Sequence, residues 1–363
     1  MKASNIPDLD CGADVVAGAR MVLCVRLEEM AALRDAALDW SDPEGVHDMR
    51  VASRRLRSAI RDFKPYLRRR HLRLLRGNVK EVADALGRVR DEDVAIAELE
   101  KLAAEAPAEV SAGVENLAAE RRRRREDARA SLVELIGGEE HLKIHEDCTS
   151  ALAQAGERAR GPRGARMGNP PQAAPSFKSA GRRIIAEGWE ELREASESLY
   201  RPLDAEPLHR MRISAKRLRY ALELFAPCWG ERLKPFAKEI AGIQSSLGEL
   251  HDCDVWIEDL GERLRAGRGK DKRAEETQFA SAEEREQGRA AAVWLMRHFA
   301  SARAKQYRAA LATWHEWEAE GFAARLFNEL DADTSVDARP ETESDEIASA
   351  ADAGAGEPQL NLS

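Results

Sequence analysis

Apolar residues recur at steps of three and four residues along most of the chain, and alternation with a period of two is scarce. This spacing places apolar side chains on one face of a helix and predicts an all-α fold. The expected helices lie near residues 12–38, 43–64, 69–87, 92–104, 110–135, 139–158, 176–200, 205–226, 231–247, 253–265 and 280–320. Asp42, followed by Pro43, predicts the start of the second helix, and Pro65 predicts its end.

The second helix has a close copy later in the chain. Residues 46–65 read VHDMRVASRRLRSAIRDFKP and residues 208–227 read LHRMRISAKRLRYALELFAP, with nine of twenty positions identical at an offset of 162. Residues 86–94 (LGRVRDEDV) and 247–255 (LGELHDCDV) match at an offset of 161. Two matched blocks in the same order predict a duplicated domain.

The duplication divides the chain into four parts. We expect a first helical repeat at 12–136, an inter-repeat helix and Pro/Gly-rich linker at 137–175, and a second repeat at 176–325. Residues 331–363 are rich in Ala, Ser, Asp and Glu, which predicts a disordered tail. The tail holds nine acidic residues and one basic residue, and so accounts for the whole net charge of -8.

Composition narrows the protein class. Charged residues make up 34% of the chain and aromatic residues 5%, which favours a helix-rich soluble protein over a sandwich or a barrel. The sequence contains no run of about 18 apolar residues, the length that would predict a membrane-spanning helix. The first residues lack the pattern of a secretion signal, so we expect a cytoplasmic protein. The five cysteines are odd in number and at least 13 residues apart, so we expect reduced thiols and no disulfide framework.

One face of the helix near 43–64 carries only cations. On a helical wheel at about 100° per residue, its basic side chains fall within an arc of about 80° opposite the apolar face. These residues are His47, Arg50, Arg54, Arg57 and Arg61. A solvated helix face normally mixes charges because like charges one turn apart repel, and this arc holds no carboxylate. The column therefore indicates a binding surface.

The copied helix repeats the column with two changes. Its members are His209, Arg212, Lys216 and Arg219, while Tyr220 enters the arc and Glu223 replaces Arg61. Residues 47–61 span about 21 Å of helix. Donors at every turn suit a linear polyanion, since Arg offers forked donors to phosphate oxygens, Lys a point charge, and His a donor that a polyanion keeps protonated. Two such columns facing one another would enclose a basic channel.

The pattern His-x-x-Arg-[Val/Ile]-x-x-[Arg/Lys]-Arg-Leu-Arg, followed by Leu-Gly-x-x-x-Asp-x-Asp-Val, occurs twice and resembles the CHAD domain, the conserved histidine α-helical domain. The resemblance covers about residues 12–325. It implies two four-helix bundles related by a pseudo-two-fold axis, with a basic central groove that binds inorganic polyphosphate, and a location at polyphosphate granules. The Glu-x-Glu-x-Lys motif of the triphosphate tunnel domain is missing from this sequence, so we expect a free-standing CHAD protein without triphosphatase activity.

The resemblance and the wheel together give the candidate site. The resemblance implies that the polyphosphate ligands are His47, Arg50, Arg54, Arg57, His209, Arg212, Lys216 and Arg219. Arg61 and Tyr220 are added from the wheel, and Arg73 with its repeat counterpart Lys234 are weaker candidates on neighbouring helices. We expect no catalytic residue, no cofactor and no metal.

Two other functions stay open. A nucleic-acid-binding protein would expose aromatic residues for stacking, and Tyr220 is the only aromatic residue in the arc. A metal-dependent phosphohydrolase would use Asp91 with Asp93, or Asp252 with Asp254, although Asp91 and Asp252 are better explained as helix caps that also brace an arginine.

Three further groups of residues are considered: a possible metal-ligand triplet, an arginine run and a set of aromatic residues. His141, His145 and Cys148 have the spacing of metal ligands, but a solvated helix face is the favoured reading because no fourth ligand is evident. Of the run Arg121–Arg125, about two residues would face the groove. The expected core aromatic residues are Trp294, Phe299, Trp314 and Trp317.

Overall fold

The computed structural model of this protein describes residues 6–155, 175–266 and 282–332. Within these ranges the regular elements are helices, which confirms the all-α prediction, and Asp14 and Ser176 form an isolated antiparallel β-bridge. The first six α-helices are α1 (Val15–Ala31), α2 (Arg34–Leu38), α3 (Glu44–Asp62), α4 (Arg69–Glu105), α5 (Ala108–Ile136) and α6 (Glu139–Ala155). The next five are α7 (Phe177–Ala195), α8 (Ala205–Phe225), α9 (Lys234–Ala266), α10 (Ala282–Glu320) and α11 (Phe322–Asp331). Short 3₁₀ helices cover Ser196–Tyr200, Ala226–Cys228 and Gly230–Leu233.

The charged helix of the sequence analysis is α3, and its copy is α8. The Asp42 carboxylate accepts a hydrogen bond from the Glu44 amide (2.9 Å), which ties the first turn of α3 to the preceding loop. Met49, Leu56 and Ile60 are buried on the apolar face, as the wheel predicts. Burial of that face fixes the rotation of α3 about its axis, and the rotation in turn directs the cationic face away from the core.

Two predicted helix breaks are absent. We expected interruptions between residues 87 and 92 and between 247 and 253, with Asp91 and Asp252 as caps, and that expectation was wrong. Helix α4 runs unbroken for 37 residues and α9 for 33, and both aspartates lie in their interiors. An interior glycine such as Gly87 costs about 1 kcal/mol, which the packing of a long helix readily offsets.

Helices of the two parts pack in the same order. Each of α1, α3, α4 and α5 packs against the next, as do α7, α8, α9 and α10, and α3 also contacts α8. The duplication and its symmetry axis remain predictions, but the meeting of α3 and α8 places the two charged helices side by side.

A single large core spans both parts. Phe63, just after α3, and Phe225, at the end of α8, are counterparts under the predicted repeat, and each ring packs on Phe177, with centroids 5.8 and 4.9 Å away. A smaller cluster lies among α4, α5, α9 and α10 and includes Phe299, while Trp314 and Trp317 belong to the large core. These three residues are buried, and Trp294 packs against the smaller cluster, so the predicted core role of the four is confirmed.

Cysteine pairing corrects the sequence analysis. Cys11 and Cys228 form a disulfide across 217 residues of sequence, while Cys24, Cys148 and Cys253 are free. The N-terminal segment is held in place by backbone hydrogen bonds with the start of α7: the Lys178 amide donates to the Cys11 carbonyl (2.9 Å). Spacing along the sequence gives no sign of a pair that only the tertiary fold brings together.

The predicted linker and the predicted tail adjoin the ends of the described ranges. Most of the predicted Pro/Gly-rich linker, which ends the inter-repeat part at residue 175, and the tail beyond residue 332 lie outside the described residues. Asp331, expected to begin the tail, is the last residue of α11, and its carboxylate accepts a hydrogen bond from Arg182 (2.6 Å). Among the helices described, none combines the length and apolar character that crossing a bilayer requires.

Candidate functional site: a basic groove between α3 and α8

A groove of about 610 Å³ runs between α3 and α8, with the first turns of α4 as a further wall. Nine of its fourteen lining residues are Arg or Lys, and none is acidic. The basic ones are Arg54, Arg57, Arg61 and Lys64 around α3, Arg69, Arg73 and Arg76 on α4, and Lys216 and Arg217 on α8. We call this set, with the intervening surface, the basic groove. Cations of this density repel one another, so the groove favours a ligand with many negative charges.

Arg54 lies at the centre of the cationic cluster. Burial lowers the pKa of its guanidinium, and the nearby charges of Arg50, Arg212 and Arg219 lower it further. No carboxylate among the described residues forms an ion pair with Arg54, Arg212 or Lys216, and the buried Arg212 Nε has no hydrogen-bond partner. A row of phosphate oxygens would supply the acceptors and negative charge that these groups lack.

Lys216 is surrounded by arginines from both helices. Burial and the charges of Arg54, Arg212, Arg57 and Arg50 lower the pKa of its ammonium group to about 7. Three of these four arginines belong to α3, and α3 contacts α8, so the charged columns of the two helices lie close enough to repel each other.

Tyr220 is buried, with 6% of its surface exposed. The guanidinium of Arg219 lies 5.0 Å from its ring centroid and that of Arg54 lies 6.0 Å away. The ring therefore packs between cations of the two helices and supports them by cation–π contacts. Its expected place in the charged arc is correct, but the ring forms part of the groove wall and offers no free face for stacking a base.

Other arginines of the two columns have carboxylate neighbours. Arg50 pairs with Asp91 (3.2 Å), Arg57 lies 3.7 Å from Asp84, and Arg219 lies 3.6 Å from Glu223. The pairing of Arg50 with Asp91 agrees with the bracing role expected for that aspartate. Arg61 donates to Asp62 through Nε (2.8 Å), and burial raises the pKa of the Asp62 carboxyl to about 6. These carboxylates hold Arg50, Arg57, Arg61 and Arg219 in place. Within the described part of the chain, Arg54, Arg212 and Lys216 have no such ion pair.

His47 and His209 lie outside the groove lining, and the pKa of each is lowered. Burial and Arg90 lower the pKa of His47. The ring of His209 packs against that of His251 with centroids 3.9 Å apart and the ring planes tilted by 45°, and burial together with His251 and Arg212 lowers the pKa of His209 to about 4. The expectation that a bound polyanion keeps the histidines protonated remains a prediction, and in the free protein Lys216 is the groove residue whose pKa is lowered to about 7.

A possible metal site adjoins His47. One of its ring nitrogens and one carboxylate oxygen each from Glu44 and Asp48 lie within 4.8 Å of one another, and among the described residues this is the one group of three or more such ligands. Glu44 also lies 3.9 Å from Arg90, a cation that opposes metal binding at this place.

Of the two weaker sequence candidates, Arg73 and Lys234, only Arg73 lies in the groove lining. Arg73 lines the groove, whereas Lys234 pairs with Glu231 at the start of α9 and lies outside the lining. The difference arises because α4 begins at Arg69, while in the second part 3₁₀ turns occupy the residues up to Leu233. Helix α9 therefore lacks the first turn that carries the groove residues of α4.

Four basic lining residues were absent from the sequence-based site. Lys64 continues the arc of Arg57 and Arg61, and Arg69 and Arg76 flank Arg73 at helical spacing, so a wider search for the same pattern would have found these three. Arg217 falls outside the arc on the wheel, and its place in the lining depends on how α8 meets α3.

The alternative acidic sites are engaged by arginines. Asp93 lies 3.5 Å from Arg125, and Asp254 accepts a hydrogen bond from Arg303 (2.5 Å). Asp252 lies near Arg212, and burial raises its pKa despite that cation. The nearby charge of Asp91 also raises the pKa of Asp252, so these aspartates of α4 and α9 lie close to each other.

The metal-ligand spacing of His141, His145 and Cys148 and the arginine run Arg121–Arg125 lie outside the groove. Cys148 is fully buried, which corrects the expectation of a solvated face, and burial raises the pKa of its thiol to about 11. His145 lies 3.1 Å from Glu28. None of Arg121–Arg125 lines the groove, contrary to the expectation for two of them; Arg121 instead bridges Glu92 and Asp259.

Comparison with known proteins concerns both sequence and fold. Residues 22–261 match the family model of the CHAD domain. The fold is similar to that of the crystal structure of the CHAD domain from the plant Ricinus communis, with a TM-score of 0.61 and 22% sequence identity over 87% of this chain and 96% of that one. It is also similar to PptA from Streptomyces chartreusis, with a TM-score of 0.59 and 14% identity over 84% of this chain and 100% of that one. No curated protein matches by sequence.

Proposed function

This chain belongs to the CHAD domain family, and from that premise we propose that it binds inorganic polyphosphate in the basic groove. The observation that carries the proposal is the groove lining, in which nine cations and no carboxylate face one space. A linear polyanion can contact cations along the whole groove at once, whereas a compact anion reaches only a few of them.

The physical basis of binding is electrostatic. The guanidinium groups of Arg54 and Arg57 provide forked donors for phosphate oxygens, and Lys216 adds a point charge from the opposite helix. Each phosphate that is neutralised releases condensed counterions, so the affinity should fall steeply as salt rises, as it does for DNA. Burial of Arg54 and Lys216 strengthens their interaction with a bound anion because less water screens it.

The proposed role is binding without catalysis, and attachment to polyphosphate granules in the cytoplasm is its expected use. The engagement of Asp93 and Asp254 by arginines supports this over a metal-dependent phosphohydrolase. Burial of Tyr220 supports it over a nucleic-acid-binding role that depends on stacked bases.

One titration separates the three functions. The purified protein is mixed with long-chain polyphosphate or with single-stranded RNA, with and without Mg²⁺ or Mn²⁺, while binding and chain shortening are followed. The proposal expects tight polyphosphate binding that RNA does not displace and no release of orthophosphate. RNA binding that polyphosphate cannot displace, or metal-dependent shortening of the chain, would overturn it.

A further inference from the structure

The last described helix, α11, ends at a well-defined place on the molecule. The Leu330 carbonyl accepts a hydrogen bond from Nε1 of the buried Trp229 (3.2 Å). The Asp331 carboxylate accepts a hydrogen bond from Arg182 of α7 (2.6 Å). The chain beyond residue 332 therefore leaves the described structure beside α7.

The neighbouring residue of α7 leads to one end of the basic groove. The guanidinium of Arg183 lies 5.2 Å from the ring centroid of Tyr66. In the chain Tyr66 lies between Lys64 and Arg69, and both of these cations line the groove. The end of α11 and the groove end formed by Lys64 and Arg69 therefore both lie next to α7, at two consecutive arginines.

The residues that follow α11 are strongly acidic. Residues 333–363, which lie outside the described ranges and which we call the acidic segment, contain eight carboxylates and one basic residue, Arg339. Four of the carboxylates fall within residues 341–346, which read ETESDE. Nothing else in the sequence of this segment opposes that negative charge.

The densest carboxylates are close enough along the chain to reach the groove. Glu341 is nine residues beyond residue 332, and nine residues span up to about 30 Å when extended. The width of a helix such as α7 is about 10 Å, and the groove follows α3 from Lys64 to Arg54 over about 15 Å. The reach of the chain therefore covers the path across α7 and along the groove.

An acidic segment in the groove would relieve the repulsion among its cations. The lining holds nine cations and no carboxylate, and within the described ranges Arg54 and Lys216 form no ion pair. Attachment to the same chain gives the segment a local concentration on the order of millimolar, so weak ionic contacts are sufficient. Polyphosphate carries charge on every unit, whereas the carboxylates are separated by neutral residues, so polyphosphate should displace the segment.

We propose that the acidic segment occupies the basic groove when no polyanion is bound and that polyphosphate displaces it. This autoinhibitory contact rests on the proposed function and adds regulation to it. The apparent affinity for any anion is reduced to the fraction of molecules in which the groove is open. Anions with few charges compete poorly with the segment, so the contact favours long polyphosphate chains over compact phosphates.

The test neutralises the densest carboxylates in the full chain. The segment variant combines Glu341→Gln, Glu343→Gln, Asp345→Asn and Glu346→Gln. At low salt we expect it to bind long-chain polyphosphate at least about fivefold more tightly than the wild-type protein, because the groove is open in a larger fraction of molecules. The difference should shrink as salt rises, since salt screens the contact between segment and groove.

A matched variant separates this contact from the effect of net charge. The control variant removes the same number of carboxylates at exposed positions of α4, α5 and α10, far from the groove: Glu105→Gln, Glu109→Gln, Glu115→Gln and Glu286→Gln. Along α4, Glu105 lies about 44 Å from the groove residue Arg76. We expect the control variant to bind polyphosphate with the affinity of the wild-type protein, and thermal unfolding verifies that both variants are folded.

Proteolysis gives a second readout in the wild-type protein. A glutamate-specific protease cleaves an accessible chain after Glu341 and Glu343, so saturating polyphosphate should accelerate cleavage at these positions when it displaces the segment. A synthetic peptide of residues 333–363 with the same polyphosphate controls for any effect on the protease itself. An unchanged cleavage rate in the protein would contradict the autoinhibitory contact.

The outcomes for the two proposals are distinct. If neither the wild-type protein nor the segment variant binds polyphosphate, binding in the groove is wrong. If the wild-type protein binds polyphosphate and the segment variant binds it equally well, or the segment and control variants gain affinity equally, the autoinhibitory contact is wrong while binding in the groove stands.

Discussion

Lys216 should make polyphosphate binding depend on pH. In the free protein, burial and four arginines lower the pKa of its ammonium group to about 7. A bound polyanion would stabilise the charged form and return the pKa toward the ordinary value of about 10.4. Binding above pH 7 then requires uptake of a proton. The affinity is therefore highest below pH 7 and falls by at most about tenfold for each further pH unit, up to the pKa of the bound state.

The perturbation that tests this is Lys216→Arg, which keeps the positive charge and removes the titration. The wild-type protein should lose about tenfold in affinity for long-chain polyphosphate between pH 6 and pH 8. The variant should bind like wild type at pH 6 and keep that affinity at pH 8. Binding is measured by calorimetry at constant ionic strength in two buffers with different ionisation enthalpies, which also counts the protons taken up.

A parallel pH dependence in the two proteins would refute the reasoning, because the titrating group would then be another one. The histidines are the comparison. Since the pKa of His209 is lowered to about 4 in the free protein, His209→Ala should leave the difference between pH 6 and pH 8 in place. Loss of that difference in the histidine variant would reassign the proton to His209.

The remaining predictions concern affinity and stability. Arg57→Ala combined with Arg219→Ala should weaken polyphosphate binding by more than tenfold with unchanged helicity, since Arg57 lines the groove and Arg219 packs on Tyr220 in the groove wall. Unaltered affinity in a filter or anisotropy assay would contradict the groove assignment. Burial raises the pKa of the Asp62 carboxyl to about 6, so the wild-type protein loses stability as pH rises and this carboxyl ionises. The unfolding free energy of the Asp62→Asn variant, relative to that of the wild-type protein, should therefore increase by about 1 kcal/mol from pH 5 to pH 8. Urea titrations that show the same difference between the two proteins at both pH values would exclude this. Reduction of the Cys11–Cys228 disulfide should lower the unfolding free energy by about 2–5 kcal/mol because it closes a loop of 217 residues, and equal urea midpoints with and without reductant would count against a stabilising bridge.

The sequence predicted the charged helices well because one local rule determines them. A column of cations opposite a column of apolar residues leaves a single rotation that buries Met49 and Leu56, and the structure has that rotation. The wheel therefore identified Arg54 and Lys216 as groove residues without tertiary information. The same rule applied to α4 would have added Arg69 and Arg76.

Other features depend on contacts that no local pattern contains. Asp91 was expected to cap a helix because aspartate favours such positions, but its partner Arg50 lies 41 residues away and stabilises it in a helix interior. Arg217 reaches the groove through the packing of α8 on α3. Lys234 misses the groove because the loop before α9 differs from the loop before α4, a difference that the repeat alignment of the helices does not show.

The disulfide also determines how the molecule responds to breaks in its backbone. Cys11 precedes the ranges assigned to both groups of packed helices, and Cys228 follows α8, so a single cleavage anywhere between them leaves the two pieces covalently joined. After a single proteolytic cleavage at residues 156–174, the protein should migrate as one band on a non-reducing gel and as two bands after reduction. In the reduced protein, Phe63 of the first fragment would still pack against Phe177 and Phe225 of the second. Two separately produced fragments should therefore associate and fold into one complex.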